Sequence, residues 1–344
     1  MIYKIFIRPV LFLFNPETIH NLLFRLMPYF KFFNPVFSLF LSPGKFANDI
    51  TINGLYFRNR LGVAAGLDKD GELINFWDAC GFSHIELGTV TPLPQPGNPK
   101  PRLFRLVKDK AIINRMGFNN CGAEKLKENI LKARKSLSGD FVVGVNIGKN
   151  KDTPLENAYE DYCKCLDVLY EAGDYFTVNI SSPNTEGLRR LQEEKYLKDL
   201  LFEIIMKRNE IVKTRSVPEK NIFLKIAPDL TDAEIVSIYN LAVYYGINGI
   251  IASNTTITRE NLITKTDETG GLSGKPIKML SGIVLKRINE LKTDDENNDL
   301  FIIGAGGVFT EDDYKDKMIY GADLVQVYTG LIYEGFGLAK KILS

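Results

Sequence analysis

Hydrophobic positions along the chain fall into two alternating registers. Short runs rich in β-branched and apolar residues, at 61–66, 84–90, 142–148, 175–181, 221–228, 249–254, 301–307 and 324–330, predict strands. Between them, apolar residues three and four apart predict helices at 69–81, 119–137, 156–171, 195–216, 231–245, 276–292 and 310–320, with a last helix after 335. A run that is apolar along its whole length suits a strand covered on both faces, as in a parallel sheet layered with helices. Eight repeated βα units predict an α/β fold, a closed (β/α)8 TIM barrel rather than an open doubly wound sheet. Residues 50–58 predict a small hairpin flooring the barrel, with Asn53-Gly54 as its turn.

The first 45 residues follow a different pattern and predict an N-terminal amphipathic helical appendage, dividing the chain into segment 1–45 and barrel domain 46–344. Asn15-Pro16-Glu17 reads as a helix start: a capping side chain, a proline at the first helical position and an acid in the first turn. Ile19, Leu22, Leu23, Leu26, Met27 and Phe30 then share one face, and Asn34-Pro35 repeats the start signal before Phe37, Phe40 and Leu41. The segment holds 11 of the chain's 38 aromatic residues, and its Lys4, Arg8, Arg25, Lys31 and Lys45 face a lone Glu17. Its longest uncharged run, residues 32–44, falls short of the roughly 18–20 apolar residues of a membrane span. The shorter run at 10–14 lacks the cleavage site of a secretory signal. Two readings of the apolar face stay open: a surface docked on the barrel as ordinary core, or a membrane-surface helix pair that receives an apolar ligand.

Composition narrows the picture mainly by exclusion. Over 344 residues, 43 Lys and Arg against 42 Asp and Glu leave a net charge of +1, which does not favour nucleic acid as a partner. Cys80, Cys121, Cys163 and Cys165 are too few and too irregular for a disulfide framework or a zinc site, and His20 and His84 are the only imidazoles. A reducing compartment and a mechanism without a metal are expected.

Active sites of such barrels lie at the carboxyl ends of the strands, and here those ends read AAGLDKDG (64–71), GTVTP (88–92), NIGKN (146–150), NISSPNT (179–185), KIAPD (225–229), SNTT (253–256), GAGG (304–307) and YTG (328–330). An amide donates and accepts in one plane, so Asn146, Asn179, Asn184 and Asn254 at one mouth would suit a planar ligand of alternating imide and carbonyl groups. The glycines of 304–307, with Thr329-Gly330, fall where barrels bind phosphate through backbone N–H groups. GGLSGKP (270–276) resembles an ATP phosphate loop but is one residue short before Lys275 and has Pro276 at the Ser/Thr place, so nucleotide hydrolysis is excluded. Lys225 reads equally as a Schiff-base nucleophile, a cation beside a flavin, or the buried partner of a carboxylate.

Taken together with GTVTPLPQPGNPKPRLFRL (88–106) and INRMGFNN (113–120), these strings are similar to those of the dihydroorotate dehydrogenases, from the first helix to the final strand. The chain resembles the membrane-associated, quinone-dependent class 2 family. That resemblance implies an FMN barrel that oxidises (S)-dihydroorotate to orotate in de novo pyrimidine (UMP) biosynthesis and is reoxidised by membrane quinone. It implies FMN contacts from Ala65, Gly66, Leu67, Asp68, Lys69, Thr89, Asn146, Asn179, Lys225, Ser253, Gly274, Gly307, Tyr328 and Thr329. For dihydroorotate and orotate it implies Lys69, Asn114, Arg115, Met116, Gly117, Phe118, Asn179, Asn184, Asn254 and Thr255. Ser182 matches the catalytic base, with Thr185 and Phe118 bordering a proton relay.

A serine is a weak proton acceptor at neutral pH and no histidine is evident to activate it, so charge stabilisation around the ring must compensate. Pro183 restricts Ser182 to extended backbone. Class 1 relatives have a cysteine at that place and lack the appendage. The appendage is therefore expected to form a quinone tunnel near His20, Arg105 and Tyr328, with peripheral membrane association through residues 1–45 at the cytoplasmic face of the bacterial cell membrane. Ser253, where threonine is common, and Ala305, within the glycine loop, are small departures. The competing classes are a Schiff-base lyase built on Lys225 and a non-catalytic membrane-binding barrel.

Overall fold

Eight parallel strands close on themselves in chain order: Leu61–Val63, His84–Val90, Val142–Ile147, Tyr175–Asn179, Asn221–Ile226, Gly249–Ala252, Phe301–Ala305 and Leu324–Val327. The computed structural model describes residues 3–44, 48–260, 262–295 and 299–344; the expected boundary at 45/46 lies outside the described residues. Closure pairs the last strand with the first, Val325 with Leu61 and Val327 with Val63, and so removes both sheet edges. Every barrel strand lies inside its predicted segment. Most end a few residues early, because the polar residues that follow leave the ladder to form the mouth.

The hairpin pairs Ile50–Ile52 with Leu55–Phe57. Asn53 and Gly54 both take left-handed backbone, φ 44° and 84°, as a two-residue turn of this hand requires. Its Ile52 and Phe57 pack against Val142, Tyr175, Phe223, Ile251, Ile303 and Leu324, filling the lower barrel with apolar side chains.

The first barrel helix corrects the reading of 69–81, spanning only Ile74–Ala79. The cause is Asp68, whose carboxylate accepts the N–H groups of Glu72 and Leu73 at 2.8 Å each and the indole N–H of Trp77 at 3.1 Å, holding the chain in a turn until residue 73. The other helices fall within or close to their predicted limits, and a further one, Thr329–Glu334, starts directly at the mouth. The sequence pattern also missed a three-stranded antiparallel sheet of Leu103–Leu106, Ala111–Asn114 and Gly271–Gly274. Its strands are four residues long and one pairing joins Asn114 to Gly271, too distant for local periodicity to reveal.

In the appendage, Pro16–Leu26 is capped as read: the Asn15 side chain accepts from Glu17 N at 2.9 Å and Thr18 N at 3.2 Å. A 3-10 turn, Met27–Phe33, leads into Asn34–Leu41. Asn34 is no cap; it is already helical, and its Nδ2 donates to the Asn75 carbonyl at 3.2 Å, fastening the appendage to a barrel helix. Two earlier elements, Tyr3–Ile7 and Arg8–Phe12, escaped the reading. One face of the segment docks, with Phe24, Met27, Phe37 and Leu41 packed on the main core. The other is open: Phe6, Leu13, Tyr29, Phe32, Leu39 and Phe40 are each at least 67% exposed.

Among the bonds that fasten the appendage is a buried ion pair. Glu17 Oε1 accepts from Arg102 Nη2 at 2.8 Å and Nε at 3.1 Å, with Lys100 Nζ at 3.4 Å. Burial alone would raise the Glu17 carboxyl, but the bonds and charges of Arg102 and Lys100 outweigh it and hold the group below the usual range. The lowered value means that this docking contribution is present at neutral pH and is lost as pH falls through it. Glu17→Ala should weaken docking by about 3 kcal/mol, the scale of a broken buried pair. Limited proteolysis should then cut within residues 3–44 at pH 7, while the wild type becomes comparably sensitive only in acid.

Candidate active site

The polar strand ends enclose a cavity whose empty space is about 1010 Å3 counted out through its open mouth. Its floor is built on a carboxylate. Glu86, inside the strand His84–Val90 and fully buried, accepts from Asn146 Nδ2 at 2.7 Å, Lys225 Nζ at 3.0 Å, Thr177 Oγ1 at 3.1 Å and Gln326 Nε2 at 3.1 Å. Burial would raise its pKa, yet Lys225 and the amide donors more than offset that and lower it. Lys225 and Gln326 themselves reach the cavity wall. Of the three readings of Lys225, its role as a carboxylate partner is therefore realised, and an ammonium held in this way is not a free amine nucleophile.

Above the floor, amides and hydroxyls are bonded to one another. Asn179 Nδ2 donates to Thr89 Oγ1 at 2.8 Å and Asn146 Oδ1 at 3.2 Å, and the Thr89 hydroxyl donates to Asn146. Asn254 Nδ2 donates to Ser181 Oγ at 2.9 Å and Asn179 Oδ1 at 3.3 Å, while Asn184 donates to Asn114 Oδ1 at 3.0 Å. Ser182 is buried on the same wall, its Oγ accepting the Asn184 N–H at 3.3 Å. Lys69, bonded to Asn119, is pushed down to about 8 by burial and by Arg102, and so remains a cation at neutral pH. Among the described residues, the buried Gln326 Oε1 and Thr255 Oγ1 find no partner, and both residues line the cavity. They are open to a ligand's N–H or O–H groups.

The far end is made of backbone. Gly274, Gly306, Gly307, Thr329 and Gly330 line it, and a Cβ on Gly307 would lie 2.6 Å from the Lys278 Cα. Positive φ at Gly306 and Gly307, 100° and 80°, makes glycine the residue for this turn. Such an end suits an anionic tail, as the floor suits a planar heterocycle.

A second cavity, about 800 Å3, lies between the appendage and the barrel. Leu11, Phe12, Ile19, Leu23, Phe24 and Met27 form one side; Leu67, Leu73, Trp77, Leu103 and Ile112 are on the other. His20, Arg105 and Tyr328, the three residues expected at the quinone site, all line it. His20 stacks on Phe24 at 4.1 Å, and burial together with Lys69 lowers its pKa to about 4, so it is neutral at physiological pH. Arg105 donates to the Phe14 carbonyl at 2.8 Å and lies 4.4 Å over the Phe12 ring. Tyr328 borders both cavities, its phenol raised by burial to about 12.

Of the residues expected at the cofactor and substrate, most stand on the first cavity's wall: Ala65, Gly66, Lys69, Thr89, Asn179, Lys225, Ser253, Gly274, Gly307, Tyr328 and Thr329, with Asn114, Met116, Gly117, Phe118, Asn184, Asn254 and Thr255. Four do not. Leu67 faces the apolar cavity, and Asp68 is committed to its turn. Asn146 lies one layer down, bonded between Glu86 beneath it and Asn179 above, and Arg115 pairs with Glu268 at 2.5 Å over the Phe104 ring. Glu86 and Gln326 were missed; their signals were the one carboxylate in the buried run HIELGTV and the one polar residue in the buried run LVQV. Among the described residues no His, Cys, Asp and Glu cluster could hold a metal ion.

Comparison with known proteins bears on this geometry. The family model described as dihydroorotate dehydrogenase matches residues 48–344. A dihydroorotate dehydrogenase (quinone) of Aliivibrio fischeri is 45% identical over 349 residues, covering 100% of this chain and 99% of the relative. One from Vibrio parahaemolyticus is 50% identical over 295 residues, 85% and 84% of the two chains. The crystal structure of DHODH in complex with ferulenol from Eimeria tenella is similar with a TM-score of 0.84 at 35% identity, over 95% of this chain and 89% of that one.

The floor makes a stability prediction of its own. Lys225→Met leaves Glu86 as an uncompensated buried charge and should cost about 3–5 kcal/mol at pH 7. Without the lysine, burial dominates and raises the Glu86 pKa, so the variant should regain stability as pH falls through that raised value. Urea unfolding between acid and neutral pH reads this slope; a pH-independent loss would contradict it.

Proposed function

Since the chain belongs to the dihydroorotate dehydrogenase family, we propose that its larger cavity holds FMN with the substrate ring and its smaller one admits quinone. The protein oxidises dihydroorotate to orotate in pyrimidine biosynthesis. The observation that carries the assignment of the two cavities is their junction: among the described residues a polar chamber and an apolar one share a single wall residue, Tyr328.

The residues present fit FMN. Gln326 Oε1 offers an acceptor, Lys225 a cation, and the Gly306–Gly307 turn a close backbone approach for the phosphate. When bound, FMN supplies a hydride acceptor for C6 of dihydroorotate. Everything else is the chain's own work. Asn114, Asn184, Asn254 and Thr255 hold the pyrimidine ring through its imide and carbonyl groups, and Lys69 meets the carboxylate. Ser182 Oγ takes the proton from C5. A serine can do so when its own hydroxyl proton leaves as the C5 proton arrives, while the Asn184 N–H donates to that oxygen and holds it in place. Thr185, whose buried hydroxyl has no partner among the described residues, passes the proton on, with Phe118 beside the route, and that unpartnered hydroxyl supports the role. Arg105 meets the quinone head group from the apolar cavity, and His20 faces it as a neutral ring.

Peripheral membrane attachment through the appendage, at the cytoplasmic face of a bacterial membrane, completes the reading. It is supported by the exposed apolar side chains of the appendage, Leu13, Tyr29 and Phe32 foremost, and by the exposed Arg25 and Lys31 among them, whereas Lys4 and Arg8 are bonded to Glu334 and the Tyr333 carbonyl. No helix among the described residues is long and apolar enough to cross a membrane.

Ser182→Ala should purify with its flavin and lose reduction by dihydroorotate by several orders of magnitude, about 10²–10⁴-fold being the range for a general base. Stopped-flow bleaching of the flavin under anaerobic conditions measures it, and near-normal reduction contradicts the base. With the barrel still folded, as checked by circular dichroism and flavin content, deletion of residues 1–45 should leave that reduction intact while abolishing reoxidation by quinone. Unchanged quinone turnover would reject the apolar cavity as the quinone site.

A further inference from the structure

One guanidinium that no step above uses ties three loops of the mouth together. Arg189, in the 3-10 turn Leu188–Gln192, donates from Nε to the Ser181 carbonyl at 3.1 Å, from Nη1 to Asp229 Oδ2 at 2.7 Å and from Nη2 to the Thr255 carbonyl at 2.8 Å. These acceptors follow three neighbouring strands, Tyr175–Asn179, Asn221–Ile226 and Gly249–Ala252. Asp229 also accepts the Thr256 hydroxyl, and Thr256 is bridged to Leu272 of the mouth sheet. From the same turn, Gln192 Oε1 accepts the Ala227 N–H at 2.9 Å.

The Ser181 carbonyl belongs to the planar peptide that enters Ser182, so holding that oxygen holds the plane from which the serine side chain departs. Pro183 constrains Ser182 from the other side by keeping it extended. On the next wall the same guanidinium holds the Thr255 backbone, next to the Asn254 amide. Arg189 thus joins the backbones of the two walls, in addition to the side-chain bond of Asn254 to Ser181. Three acceptors arranged around a plane call for a rigid fork of donors, which lysine does not provide. Arg189 itself does not line the cavity.

We propose that Arg189 is a positioning residue for proton abstraction, fixing Ser182 against the Asn254–Thr255 wall with Asp229 as its counter-ion. The inference rests on Ser182 being the base. A displacement of about 1 Å at a reacting group can cost 10²-fold, so Arg189→Lys is expected to slow flavin reduction about 10²-fold. Flavin content and reoxidation of the pre-reduced enzyme by quinone should stay at wild-type levels, and KM for dihydroorotate should change no more than about threefold, the split expected of lost transition-state geometry. Arg189→Ala should be slower still and be partly rescued by millimolar guanidinium, but not by sodium chloride at equal ionic strength.

Full-rate reduction in both variants, or flavin loss in proportion to rate, overturns the proposal. So does a slow alanine variant that guanidinium does not rescue. Ser182→Ala measured in parallel separates the two readings. If it reduces at full rate, the base assignment falls; if it is slow while Arg189→Lys is not, the clamp alone falls.

Discussion

A fully buried carboxylate sits in the middle of the barrel, and the polarity of the site is organised around it. Burying an ion costs several kcal/mol unless its lone pairs are met by donors. Glu86 is met by four, from four different strands. That demand fixes more than its own surroundings. With Nδ2 of Asn146 committed to Glu86, its Oδ1 must face upward, where it accepts from Thr89 and Asn179. Asn179 therefore presents its own oxygen to Ser181 and to the Asn254 amide. One buried charge thus sets the donor and acceptor sense of successive amides up to the substrate wall, and cooperative polarisation along such a chain favours that single arrangement. Gln326 follows the same logic: its amide nitrogen is drawn to Glu86 and its oxygen is left for a ligand.

The second constraint is the separation of polar from apolar chemistry. A barrel mouth rich in amides cannot also receive a greasy reactant without desolvating those amides at a loss. The chain meets this by adding helices rather than altering the mouth. The appendage encloses apolar space against Leu67, Leu73 and Trp77, on the outer side of the first βα turn. The turn itself carries opposite faces: Ala65, Gly66 and Lys69 look into the polar chamber, while Leu67 looks into the apolar one. In the proposed reading, electrons cross where these faces are thinnest, at Tyr328, and water and protons stay on the side of Ser182.

How far the sequence revealed this depended on the range over which each signal acts. Barrel strands were legible because each is a continuous buried run, and the Asn53-Gly54 hairpin because its turn chemistry is local. Asn15 was read correctly as a cap for the same reason, whereas Asn34, with the same Asn-Pro signature, turned its amide to Asn75. Only a tertiary contact decides between those outcomes. The mouth sheet was invisible because Gly271–Gly274 reads as a glycine-rich loop until its partner Ala111–Asn114 is known. Site residues carried over by resemblance were mostly on the cavity wall. Leu67 and Asp68 fell elsewhere because a contiguous turn cannot point every side chain one way. Glu86 needed the opposite inference, from a charge in a run where none should be stable alone.

The floor and the walls of the site owe their geometry to different causes. Glu86, Asn146, Lys225 and Gln326 stand on strands, so barrel closure places them as a by-product of the ladder. Ser182, Asn184, Thr255 and Phe118 stand on loops, where nothing in the ladder fixes them and cross-loop bonds must. One such bond reaches the appendage. Asn98 Nδ2 donates to the carbonyls of Arg115 and Asn184 at 3.1 Å each, and the Asn98 carbonyl accepts from Arg102 at 2.8 Å. Arg102 is in turn the partner of Glu17 on the first capped helix. The apolar appendage is therefore bonded into the wall that carries the serine, and the two cavities share a framework as well as a boundary.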